Sequence, residues 1–176
     1  MAGPQLTEID HVAIAVRDLD AAVAWYAAAF GATVAHREVI ERDGVEEALL
    51  AVADSYVQLL TPIRDDSPVA KFLASRGEGL HHVGYRVDDC GTALAAATAT
   101  GARSIDAEPR PGSRGTSVAF LHPKSAFGTL IELVEEPAAG VGHSGLAPGT
   151  LAEALDGTAA ATAGVAEPDE TEGWLQ

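Results

Sequence analysis

Two histidines, His11 and His82, stand 71 positions apart in segments that answer one another, "EIDHVAIAVRDLD" and "EGLHHVGYRVDD". With His11 laid over His82, the segments also agree at Val12 and Val83, Val16 and Val87, and Asp18 and Asp89. Each half then offers a second polar side chain in an apolar run: Gln58 in "YVQLLTP", 47 positions after His11, and Glu132 in "TLIELVE", 50 after His82. One strand histidine is most often a satisfied core or edge residue, and a lone Gln or Glu can mark a solvent face. Four such residues paired by a repeat are harder to explain that way, and they point to a metal site.

Strands and helices must bring these residues together. "IDHVAIAV" reads as a strand and "LDAAVAWYAAAFGA" as an Ala-rich helix ending at Gly31. Strands are expected near 33–40, 45–52 and 56–62. "SPVAKFLASRGEG" reads as a helical linker over 67–78, with Ser67 as N-cap and Pro68 at the first helical position. The pattern then restarts: a strand "LHHVGYRV", a helix "GTALAAATATGA", and strands near 102–106, 116–121 and 129–135. The expected fold is α+β, two tandem βαβββ modules (about 8–64 and 79–136) forming one concave mixed sheet. Alternation puts His11 with Ala13 and Ala15, and His82 with Gly84, on the less bulky face. The same rule puts His81 on the opposite face, so it is not counted as a ligand.

Composition bounds the rest. The chain has 176 residues, 47% of them apolar, enough for one core domain over 1–137. A net charge of −15 argues against nucleic-acid or anionic-membrane partners. No apolar run has the length of a membrane span, and "MAGPQLTEIDH" lacks the blocks of a signal peptide. With the single Cys90, which two neighbouring aspartates disfavour as a thiolate, this suits a cytoplasmic protein with a structural cysteine. Residues 138–176 are rich in Ala, Gly, Thr and Pro and carry six acids and no Lys or Arg. They read as a low-complexity acidic tail, disordered apart from one short helix at the "TLAE" capping box; the end "EPDETEGWLQ" has the look of a partner-docking peptide.

The pieces "DHVAIAVRDL", "GVEEALL", "VQLLTP", "DSPVAKFL", "GLHHVGYRVDD", "EPRPGSRG" and "FLHPKSAFGTLIELVE" together resemble the vicinal oxygen chelate (glyoxalase/bleomycin resistance/dioxygenase) superfamily. Within it they are most similar to the methylmalonyl-CoA epimerase family. The resemblance spans residues 8–136 and leaves the tail aside.

It implies an isomerase of propionate metabolism that interconverts the (2R) and (2S) epimers of methylmalonyl-CoA through two bases and an enolate. Carried over, the metal ligands fall on His11, Gln58, His82 and Glu132, and the catalytic carboxylates on Glu47 and Glu132. The chemistry supports each role. Taking a proton from a carbon between a thioester and a carboxylate leaves negative charge on oxygen, which a divalent cation stabilises as a Lewis acid. An N/O donor set with room for two substrate oxygens suits Co, Mn, Ni or Mg. Neutral Gln58 leaves the ion more positive than a glutamate would. Glu47 shares its strand face with Val45 and Leu49, an apolar setting that raises a carboxyl toward proton-shuttle range. Coenzyme A phosphates need local basic or glycine-rich contacts; Lys124, Arg110, Arg114, Gly112, Gly115 and Lys71 are the candidates.

Alternatives from the same fold are a glyoxalase-type isomerase, an extradiol-type dioxygenase and a non-catalytic drug-binding protein. Gln58 and the "GVEE" glutamate argue against the first, and the extra amide against the second. Four filled ligand positions argue against the third. The implied partner is a small acyl-CoA, and family members are often homodimers.

Overall fold

The computed structural model describes residues 5–137, so the expectations for the tail at 138–176 fall outside the described residues. Two βαβββ halves follow the sequence repeat. The first comprises β1 (Glu8–Ala15), α1 (Leu19–Phe30), β2 (Val34–Ile40), β3 (Val45–Val52) and β4 (Ser55–Pro62). Helix α2 (Pro68–Arg76) links it to β5 (Gly79–Arg86), α3 (Cys90–Ala99), β6 (Arg110–Pro111), β7 (Ser117–Leu121) and β8 (Ile131–Glu135). Local chemistry sets the helix ends. The side chains of Asp18, Ser67 and Asp89 accept from backbone N–H groups three residues on, and Gly31 ends α1 in the left-handed conformation at φ 66°.

The eight strands form one sheet in the order β2-β3-β4-β1-β5-β8-β7-β6. The halves meet at the antiparallel pair β1–β5, flanked by the parallel pairs β1–β4 and β5–β8. Outer strands of both halves line one cavity, Glu47 of β3 with Phe120 of β7, so the sheet curls. An ion pair between Asp43 in the β2–β3 turn and Arg110 of β6, at 3.0 Å, joins the two lips. On the convex side Val16, Ala48, Leu50 and Leu59 cluster with Leu19 of α1, and Leu133 clusters with Cys90, Ala93 and Leu94 of α3. Among the described residues no helix is long and apolar enough to cross a membrane.

One expected strand is absent. Residues 102–106 make a single bridge, Ser104 to Leu121, and the second half's outer strand is instead the two-residue β6. The peptide N–H groups of Ile105 and Phe120 are met by Phe120's carbonyl and Asp106's carboxylate, so the segment is tied down without forming a ladder.

Candidate active site

The β1–β5 register explains how four polar side chains converge. His11 stands opposite Gly84, and Ala13 opposite His82. On the far side of β1, Gln58 pairs with Ala13; on the far side of β5, Glu132 pairs with Gly84. Two three-strand rows result, His11–Gly84–Glu132 and His82–Ala13–Gln58. In each, the middle residue is too small to block its neighbours. Strands lie ~4.8 Å apart, so side chains two strands away meet only by leaning over that small residue. The near-two-fold repeat thus places its histidines at the axis of the sheet.

His11, His82 and Glu132 are all buried and meet in a tight triangle. The Nε2 atoms of the histidines are 3.0 Å apart, and Glu132 Oε2 lies 2.9 Å from that of His11 and 3.2 Å from that of His82. Donor atoms on one face of an octahedral ion, each ~2.1 Å from it, are themselves ~3.0 Å apart. Gln58 adds a buried Oε1 with no hydrogen-bond partner, a lone-pair donor lining the same cavity. The donor set therefore fits a divalent cation. Burial alone would raise Glu132, but hydrogen bonds from His11 and His82 outweigh it and hold its carboxyl well below the usual range.

Each histidine is braced by the residue before it. The β1–β5 register slips once between Ile9 and His11 and once between Ala13 and Ile14, so Asp10 and His81 are the extra residues of two β-bulges. Asp10 Oδ1 lies 2.8 Å from His11 Nδ1, and His81 Nδ1 lies 2.8 Å from His82 Nδ1. Strict alternation, which set His81 on the opposite face, fails here. The bulge turns it toward His82, and both line the cavity. Burial opposes the ionised form of Asp10, yet His11, Arg114 and Arg86 lower its pKa to about 2. Burial would lower His11, but Asp10 and Glu132 raise it to about 9; burial, joined by His82, lowers His81 to about 4.

Glu47 is fully buried on β3, and Gln58 Nε2 donates to its Oε2 at 2.5 Å. Its Oε1 has no hydrogen-bond partner. Burial pushes this carboxyl up, with Ser113 and Gln58 acting the other way. Glu47 and Glu132 line one cavity of about 170 Å³, whose apolar wall includes Leu60, Val69, Phe120 and Leu130. Two buried carboxylates with opposed proton affinities are the arrangement acid–base chemistry uses.

The expected substrate contacts divide. Gly112 and Arg114 line a narrower pocket of about 30 Å³ that shares Glu47, Gln58, Glu132 and Arg110 with the larger cavity. Both arginines are already paired, Arg110 with Asp43 and Asp106, Arg114 with Asp10 and Glu136. Lys71, Gly115 and Lys124 line neither cavity. Sequence reasoning missed Asp10, whose partners Arg86 and Arg114 lie 76 and 104 positions away. The signal available was a polar residue directly before each histidine.

Residues 10–120 match the model of the glyoxalase/bleomycin resistance protein/dioxygenase superfamily. An ethylmalonyl-CoA/methylmalonyl-CoA epimerase of Cereibacter sphaeroides is 39% identical over 127 residues, covering 71% of this chain and 95% of its own. Among solved structures, a variant of Streptomyces coelicolor methylmalonyl-CoA epimerase in complex with 2-nitronate-propionyl-CoA matches with a TM-score of 0.75 at 46% identity, over 76% of this chain and 100% of that one. A methylmalonyl-CoA epimerase in complex with methylmalonyl-CoA and NH4+ matches equally, at TM-score 0.75 and 46% identity, over 76% and 97%. The chain belongs to the glyoxalase/bleomycin resistance protein/dioxygenase superfamily and, within it, to the methylmalonyl-CoA epimerase family.

Proposed function

We propose that this protein epimerises methylmalonyl-CoA at C2 by a two-base mechanism, with Glu47 and Glu132 as the bases. The observation that carries this reading is the placement of two buried carboxylates on one cavity, one pushed up and one held down. Homologous epimerases that bind methylmalonyl-CoA or a nitronate analogue support the substrate.

His11, Gln58, His82 and Glu132 are the residues that would hold a divalent ion of the Co, Mn, Ni or Mg kind. Once bound, such an ion supplies Lewis acidity toward the negative charge that builds on the thioester oxygen. The remaining work falls to side chains. The unpartnered Oε1 of Glu47 takes the C2 proton from one face, and its burial keeps the carboxyl basic enough to accept it. Glu132 serves the other face. Gln58 fixes Glu47 through its amide N–H. A proton leaves to Glu47 on one face and another arrives from Glu132 on the other, while Leu60, Val69 and Phe120 wall the enolate from bulk water.

The test is incubation of the metal-loaded protein with a single epimer of methylmalonyl-CoA in D₂O. The reading requires conversion to both epimers with deuterium at C2, lost on chelation of the metal. Turnover of a hemithioacetal with no change in the thioester would contradict it.

A further inference from the structure

Asp10 has no assigned part in this chemistry, yet it is fully buried beside it. Its Oδ1 accepts from Arg114 Nη2 at 2.8 Å and its Oδ2 from Arg86 Nη2 at 2.8 Å, while His11 Nδ1 stands 2.8 Å from Oδ1. A carboxylate clamped between two guanidinium groups can only accept, so His11 must donate through Nδ1–H. That keeps the Nδ1 proton in place; Nε2 meets Glu132 and His82, so it is the Nε2 proton that a metal ion would displace and the Nε2 lone pair that would face the ion. Arg114 has a second attachment. Its Nη1 reaches Glu136 at 3.0 Å, its guanidinium lies 4.9 Å from the centre of the Tyr56 ring, and its own N–H donates to Glu38 at 3.2 Å. Its backbone sits at φ 56°, a left-handed conformation that a non-glycine residue keeps only when its surroundings hold it there. Gly112 and Ser113, just before it, line the narrow pocket together with His11 and Glu47.

We infer that Asp10 is the positioning residue of His11, and that Arg114 ties the cavity-lining segment 112–116 to Asp10, making imidazole and loop one mechanical unit. The inference rests on the reading of His11 as a metal-facing residue. His82 has a different brace, the imidazole of His81, so the charged clamp serves only one of the two histidines.

The experiment titrates chelator-stripped protein with Mn²⁺ in the absence of substrate. Asp10→Asn, which keeps shape and loses charge, should weaken Mn²⁺ binding about 10–100-fold, the usual cost of removing an outer carboxylate partner. Arg114→Met should weaken it less, and should add little to Asp10→Asn in the double variant, because both act through one contact. Should Asp10→Asn fail to fold, the zinc-loaded wild type decides: the imidazole nitrogen resonances of His11 should show Nδ1 protonated and Nε2 on the metal. Unchanged Mn²⁺ affinity in Asp10→Asn, additive losses in the double variant, or zinc on Nδ1 would each overturn the inference. A His11→Ala control that kept full Mn²⁺ affinity would instead sink the metal-site reading on which it rests.

Discussion

Gly84 faces His11 across the β1–β5 ladder, and its missing side chain is the space the imidazole occupies. A Cβ built there would lie 2.6 Å from Nδ1 and 2.7 Å from Nε2 of the ring. The ring cannot swing clear, since Asp10 holds one nitrogen and Glu132 the other. Gly84→Ala should therefore displace His11, lowering metal affinity at least ~10-fold and stability by ~1–3 kcal/mol, typical of overpacking. Calorimetric metal titration and a thermal melt of the metal-free protein check both parts.

His82 is buried by its position in the triangle, and beyond it meets His81 through the Nδ1–Nδ1 hydrogen bond and Phe120 through an edge-to-face ring contact. His82→Ala should remove most bound metal and nearly all turnover while the fold persists. Circular dichroism unchanged from wild type, together with metal content near zero, is the expected pair of results.

Gln58→Glu probes charge at fixed shape. The new carboxylate would replace an amide that donates to Glu47, setting two acids against each other, and would also lower the positive charge of a bound ion. Turnover should fall ~100-fold, the scale of one acid–base group, with metal retained. Wild-type rates in this variant would mean the neutral amide has no role.

How much of this was legible beforehand depended on whether a feature repeats. The duplicated βαβββ pattern and the four polar residues follow from periodicity, whereas the inward place of Glu47 followed from the family resemblance; the structure buries all five side chains. Asp10 and His81 escaped because alternation assumes an unbroken ladder, and each sits where the ladder slips by one residue. The strand expected at 102–106 failed for another reason. Its backbone is met by isolated long-range bonds, Ile105 N–H to the Phe120 carbonyl and His122 N–H to the Arg103 carbonyl, which leave no trace in local pattern. Arg114 looked like a free cation because its carboxylate partners, Asp10 and Glu136, lie 104 and 22 positions away.

Cys90 tests the convex core independently of the site. Its side chain is fully buried against Leu133, and burial, with Glu135 and Glu132 nearby, pushes the thiol up to about 12. Iodoacetamide at pH 8 should leave the folded protein unmodified and label it only in denaturant. Rapid labelling of the native state would show that α3 does not pack on the sheet as described.

The central claim is that Glu47 and Glu132 serve opposite faces of one carbon, and Glu47→Gln in D₂O tests it most directly. The substitution keeps the shape and leaves His11, Gln58, His82 and Glu132 in place, so metal and substrate should still bind. Epimerisation should fall ~10²–10⁴-fold, the contribution of one positioned acid–base group. Glu132 would still exchange the proton on its own face, so deuterium should enter one epimer of methylmalonyl-CoA without inversion. Deuterium entering both epimers at the wild-type rate would contradict the account.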